Sequence, residues 1–311
     1  MNKVVLVVIY NHKYEKNIEL IEKLYKNRFS WIYHLMPFYS GDRPNVIPVY
    51  ENSVYFQGYV AQGFQKFYQP EATHYFFVAD DMILNPEINE TNYREFFHLN
   101  ESQSFISDFF NLYEYLDWPH IHEAFIFKPT YHHLEIKGEL PDYQEVEKKL
   151  IQNGALNRPI KEEPGLKWKQ LYPKVIKNIF CKKNRVWLAH WLSDSIRRKR
   201  YTLSYPLAAS YSDIFIVSAQ TVRPFCHYCG VFAALRLFVE IALPTALALS
   251  AKGVVTEKEL SLKGKPLWTT EDYTLLEPYK KNLELLWKNY PKDVLYIHPI
   301  KLSQWDTHGI S

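Results

Sequence analysis

The apolar stretch HYFFV at residues 74–78 passes directly into Ala79-Asp80-Asp81-Met82. A short, continuous apolar run bounded by a polar turn reads as a strand buried on both faces, which is the signature of a parallel sheet covered by helices. Ligands of such sheets bind beyond the carboxyl ends of the strands. Two adjacent carboxylates at that edge repel each other at close range, and a divalent cation bridging a diphosphate offsets the cost. Aspartate is also favoured at turns and helix caps, and the dipeptide alone leans slightly towards that plainer role.

The surrounding pattern supports an α/β chain. Residues 4–10 form a second β-branched apolar run, and residues 14–25 place Ile18, Ile21, Leu24 and Tyr25 on one helical stripe, with Asn11 at the turn between. Strands are expected at 30–39 and 46–50, separated by the turn-forming Gly41-Asp42-Arg43-Pro44-Asn45, and a helix at 56–68. The succession predicts a mainly parallel sheet flanked by helices, with a first half at 1–88. From 89 to 205 the alternation breaks down, and we expect a mostly helical insertion that includes a helix at 143–152. The pattern resumes over 206–311, with a strand at 213–217, a buried apolar helix at 231–249, a helix at 282–289 and a last strand at 295–301 that delivers His298 and Lys301 to a surface.

Composition narrows the function. The 311 residues carry 37 Lys+Arg against 34 Asp+Glu, a formal charge of +3, so no global field recommends nucleic acid as a partner. Only 10 residues are glycine, and none are spaced as G-x-G-x-x-G or a P-loop, which removes the main support for dinucleotide or P-loop binding. Aromatic residues make up 16% of the chain, 8 Trp, 24 Tyr and 19 Phe. Their flat faces suit the C–H faces of sugars and the rings of nucleobases, although rings also fill cores. The three cysteines, Cys181, Cys226 and Cys229, point to a reducing, cytoplasmic setting. Cys226 and Cys229 have C-x-x-C spacing but no second ligand pair nearby, which argues against a zinc site. The run Arg197-Arg198-Lys199-Arg200 could dock peripherally on anionic lipid at the inner face of a membrane, or simply be solvated.

The strand-turn with Asn11, the alternating units and HYFFVADDMILNP at 74–86 together resemble the nucleotide-sugar-binding half of GT-A glycosyltransferases. In that fold a D-x-D-type motif ends a strand and holds a metal against the donor diphosphate. The resemblance implies Mn²⁺ or Mg²⁺ on Asp81, with Asp80 contacting ribose or metal-bound water; the acid that a full motif would carry at Met82 is missing. It further implies a C-terminal histidine completing the metal shell, His298, with Lys301 neutralising diphosphate, and an acid on a later helix that deprotonates the acceptor, Glu240. Asp213 falls where acceptor-binding carboxylates occur, and Glu51 with Asn52 and Ser53 could contact the base. The residues allow plainer roles too: Glu240 could anchor its helix through an i, i+4 pair with Arg236, Asp213 could cap a turn, and His298 could be an ordinary surface histidine.

The expectation is therefore a metal-dependent glycosyltransferase that moves a sugar from a nucleotide-diphosphate donor to a saccharide acceptor hydroxyl, inverting with Glu240 as base, in surface polysaccharide synthesis. Two rivals remain. A nucleotidylyltransferase would also set carboxylates at a sheet edge, but it usually needs a glycine-rich loop after its first strand, where Asn11-His12-Lys13-Tyr14-Glu15 has no glycine. A non-catalytic carbohydrate-binding protein would use the rings as a platform and the acids as caps.

Overall fold

The structure, a computed structural model, describes residues 3–114, 118, 120–129, 134–156 and 203–310. Strands β1 (Val4–Ile9) and β4 (His74–Ala79) are buried along their whole length and pair in parallel, Val4 opposite His74 through Ile9 opposite Ala79. Side chains of a strand alternate faces. Val5, Val7 and Ile9 therefore enter one core and Val4, Leu6 and Val8 the other. Helix α1 (Lys16–Tyr25) covers the second face with Ile18, Ile21, Leu24 and Tyr25, the stripe legible in the sequence. Strands β2 (Trp31–Pro37) and β3 (Val46–Val49) extend the sheet beside β1, and α2 (Gln57–Phe67) crosses back over the first face.

Among the described residues, seven strands form the main sheet. Beyond β5 (Ile83–Leu84) and a short helix α3 (Tyr93–Phe96), strand β6 (Ser104–Ile106) joins it, followed by α4 (Ile121–Ile126), α5 (Tyr143–Gln152), β7 (Ile214–Ser218), α6 (Ala219–Ala234), α7 (Val239–Ser250) and β8 (Val254–Val255). Its order is β3-β2-β1-β4-β7-β6-β8, parallel except that β7 runs against both β4 and β6. The fold is α/β, a mostly parallel sheet flanked by helices and compatible with a Rossmann-like arrangement. Stretch 89–205 contributes β6 to the sheet as well as α3, α4 and α5; residues 157–202, including the basic run at 197–200, lie outside the described residues.

A second sheet, β5-β10-β9, is built from β9 (Lys263–Pro266), β10 (Val294–His298), which follows α8 (Leu283–Lys288), and the strand that directly follows Asp80-Asp81. Strands β5 and β10 are antiparallel, Ile83 opposite Ile297 and Leu84 opposite Tyr296. One step further along that register lies His298, and the Ile300 N–H donates to the Asp81 carbonyl at 2.6 Å. The last strand ends at His298, short of the 301 expected, and it delivers the imidazole to a largely buried position while Lys301 is exposed.

The apolar helix expected at 231–249 is two helices. The chain breaks at Arg236, which adopts a left-handed φ of 56°. Its guanidinium pairs with Glu51 and lies 5.1 Å from the Tyr55 ring centre. An i, i+4 pair requires continuous helix, so the Arg236–Glu240 anchor does not form. Cys226 and Cys229 are free, buried thiols on α6, and burial pushes both above their usual pKa. No helix among the described residues is long and apolar enough to cross a membrane.

Candidate functional site

Three chain segments bring acids and an imidazole to the carboxyl edge of β1 and β4. Helix α1 leaves the sheet after β1, and open α/β sheets bind ligands beyond the carboxyl ends of their strands. Asp80 and Asp81 follow β4. Because β7 is antiparallel to β4, its amino end lies at the same edge, and Asp213 just before it gives its carbonyl to the Ala79 N–H at 2.9 Å. Through the β5–β10 pairing His298 arrives from the other side.

Asp80 is the supporting acid. It is 5% exposed, its N–H donates to the Ile9 carbonyl at 2.9 Å, and its carboxylate accepts from Asn17 Nδ2 at 3.2 Å. The backbone of Asn11 donates to it as well. Asn11 thus serves the site through its N–H, while its side chain is exposed. Burial, with the Asp81 charge second, pushes the Asp80 pKa up to about 7.

Asp81 and His298 meet directly. His298 Nε2 lies 2.9 Å from Asp81 Oδ1 and 4.0 Å from Asp213 Oδ1. Neither Nε2 nor Asp81 Oδ1 has a hydrogen-bond partner of proper alignment, although both atoms are buried. The other ring nitrogen, Nδ1, is hydrogen-bonded to the Tyr211 hydroxyl, which also bonds Asp213. A carboxylate only accepts. The tyrosine proton therefore goes to Asp213, and its oxygen accepts from Nδ1–H, which leaves Nε2 facing Asp81. Burial lowers the His298 pKa, but contact with Asp81 and the Asp213 and Asp81 charges outweigh it and raise the pKa overall. Asp213 is raised, chiefly by burial.

Do these groups suit a divalent cation? Adjacent ligands of an octahedral ion with bonds of about 2.1 Å lie about 3 Å apart, and the 2.9 Å between Asp81 Oδ1 and His298 Nε2 matches that spacing. Two oxygens and an imidazole suit Mn²⁺ better than Mg²⁺, which prefers oxygen alone. Among the described residues no set of three or more His, Cys, Asp or Glu side chains is already gathered for an ion, and Asp213 stands off at 4.0 Å. The Asp81–His298 pair is accordingly the core of any such site.

Glu240 stands in the first turn of α7 and is held there by an unusual use of proline. Pro244 has no N–H, so the helix leaves the Glu240 carbonyl without its i+4 donor. The Ser210 N–H takes that place at 3.0 Å. Thr245 Oγ1 then accepts from the Ala208 N–H at 3.0 Å. These bonds tie the segment carrying Tyr211 and Asp213 to the helix carrying Glu240. Burial, followed by the Asp213 charge, raises the Glu240 pKa to about 7.

Beside the acids opens a cavity of about 650 Å³, walled by Glu240, Tyr211, Trp118, Trp268 and Tyr296 among others. Sequence reasoning did not find it, because its lining comes from five separate stretches, near 107–118, 209–211, 240, 257–268 and 296. The aromatic content was its only trace.

The other expected residues lie apart from this cluster. Glu51 follows β3 at the far edge of the sheet, where its carboxylate holds Arg236 and the Asn52 N–H at 2.8 Å. On the neighbouring helix α2, Gln57 is buried and donates to the Leu237 carbonyl at 2.8 Å, whereas Gln62 accepts from the Tyr50 N–H at 2.8 Å. Compared with models of known protein families the chain matches none, and no curated protein is significantly similar to it in sequence.

Proposed function

We propose that this chain is a metal-dependent glycosyltransferase of GT-A type, moving a sugar from a nucleotide-diphosphate donor to a saccharide hydroxyl. One observation carries the reading. Asp81 and His298, more than two hundred positions apart in the chain, meet at the ligand edge of the sheet with buried, unaligned donor atoms, with Asp213 alongside and a cavity next to them whose wall holds a carboxylate with a raised pKa.

Asp81 and His298 would hold Mn²⁺ or Mg²⁺. When bound, the ion neutralises charge on the departing nucleoside diphosphate. Tyr211 keeps the imidazole tautomer and orientation fixed from behind. Asp80, braced by Asn17 and the Asn11 backbone, sets the turn that presents Asp81. Glu240 takes the proton of the acceptor hydroxyl as that oxygen attacks the anomeric carbon; the bond to the donor diphosphate breaks on the opposite face, giving inversion. A carboxylate with a pKa near 7 is half ionised at neutral pH, so it is available as a base and strong enough to matter. Lys301, exposed on the tail next to the Asp81–Ile300 link, is suited to receive the diphosphate. The setting would be the cytoplasm, in the synthesis of a surface polysaccharide.

Thermal unfolding in the presence of UDP, GDP, CDP or CMP, each with Mn²⁺, Mg²⁺ or EDTA, tests this. A ligand at 100 times its Kd stabilises the native state by about 2.7 kcal/mol. We expect a metal-dependent rise in Tm with one of the nucleoside diphosphates, lost in Asp81→Ala. No metal-dependent rise with any of them would refute the transferase reading.

A further inference from the structure

The cavity beside the acids lies within the roughly 300–1,000 Å³ of small-molecule sites, and its walls discriminate by charge. Its apolar side is ring-rich. Trp268 is 69% exposed, stands edge-on to Tyr211 with ring centres 5.7 Å apart, and faces the same space as Trp118, Phe110 and Pro266. An exposed indole beside a cavity offers a flat face to the C–H side of a pyranose.

On the polar side acids outnumber cations. Asp108, Glu240 and Glu257 face Lys258 and Lys263, the two cations among the described lining residues. Both are committed. Lys258 Nζ lies 2.7 Å from Asp108 Oδ1, and Lys263 Nζ donates to the carbonyls of Glu257 and Leu260. Glu257 in turn accepts from Tyr296 Oη at 2.6 Å and from the Gly264 N–H at 3.0 Å. Behind this wall, through Tyr211, stand Asp213 and Asp81, with the His298 imidazole between them. An anionic group in the cavity would meet more carboxyl groups than ammonium groups. Like charge set against like charge is how a site excludes the wrong partner.

We propose that the cavity takes a neutral glycoside as acceptor, its C–H face on Trp268, and rejects sugars that carry carboxylate or phosphate. As an acceptor site the cavity rests on the transferase reading; as a neutral-sugar site it can be tested without turnover. Saturation-transfer NMR on the whole protein, with neither nucleotide nor metal, would compare methyl β-glucoside, galactoside and N-acetylglucosaminide with methyl β-glucuronide and glucose 6-phosphate. Glucoside and glucuronide differ only at C6, so the pair isolates charge. We expect the neutral glycosides to bind, the glucuronide to bind at least about tenfold more weakly, and the gap to narrow as salt is raised. Trp268→Ala, a change at an exposed ring, removes glycoside binding while leaving Tm within a degree or two. Asp108→Asn frees Lys258 and improves glucuronide binding several-fold. Glucuronide binding equal to or tighter than glucoside, no saturation of any neutral glycoside at roughly 50 mM, or intact binding in Trp268→Ala each overturns the proposal. Glycoside binding that persists where metal-dependent nucleotide binding is absent would sink the transferase reading and leave the neutral-sugar site standing.

Discussion

Tyr211 is the residue on which the proposed metal geometry turns, and Tyr211→Phe separates that role from packing. The ring is 6% exposed, stacks on Tyr296 at 6.3 Å and 7°, and stands edge-on to Trp268. Phenylalanine keeps all of this and removes only the hydroxyl, which bonds His298 Nδ1 and Asp213. Burial, with the Asp213 charge second, raises the tyrosine pKa far above its usual value, so the proton in question is present at every working pH. Its loss leaves two buried groups without a partner. At about 1–3 kcal/mol for such a deletion, and roughly 2–4 °C per kcal/mol for a chain of this size, Tm should fall by about 2–12 °C. The diagnostic effect is on metal. A group that orients a ligating histidine is worth roughly 10–100-fold in affinity, so Mn²⁺ titrated by electron paramagnetic resonance should bind the variant that much more weakly. If Tm drops while Mn²⁺ affinity stays within about twofold, Tyr211 is a structural hydrogen-bonding residue and the relay from Asp213 to Nε2 is wrong.

Two further outcomes follow from the ionisation of particular acids. Glu240 acts as a base only when deprotonated, and its pKa is raised to about 7; turnover should climb with pH through neutrality, about tenfold between pH 6 and 8, and Glu240→Gln should lose roughly 10²–10⁴ in rate with nucleotide binding intact. A flat pH profile or an active glutamine variant removes the base. Glu22, on α1, is held down to about 2, first by its contact with His34 and also by Asn45 Nδ2 at 2.8 Å, against the opposing effect of burial. A depressed carboxylate stabilises the fold above its unfolded pKa near 4.5 and loses that contribution as pH falls towards 2. Glu22→Gln should therefore cost about 1–2 kcal/mol at pH 7, allowing for solvent screening at this partly exposed group, and much less at pH 2.5. Urea unfolding that shows the same gap at both pH values contradicts the assignment.

How far the sequence disclosed this arrangement depends on the range over which each feature is determined. Strands β1 and β4 were legible because six consecutive buried residues leave a local pattern, and α1 because its stripe lies within three turns. Asp80 and Asp81 could be assigned to the ligand edge for the same reason. Strand β6 was missed since three residues carry no periodicity; it is recruited by β7 and β8, over a hundred positions away. The break at Arg236 was missed because a left-handed arginine has none of the glycine that usually marks such a turn, and its partner Glu51 is distant in sequence.

Glu240 shows how the local and distant levels join. From the sequence, Pro244 reads as a flaw in an apolar helix. In the fold that flaw frees one carbonyl, and the Ser210 N–H that fills it fixes Tyr211 and Asp213 against the helix. The β5–β10 register then brings His298 to the same edge, because the strand that must pair with β10 is the one that follows Asp81 without an intervening loop. A one-residue slip in that register would turn the imidazole to the opposite face. The same pairing that closes the second sheet therefore also sets the position of the imidazole, and destabilising β5 or β10 should disturb metal and nucleotide binding before it unfolds the main sheet.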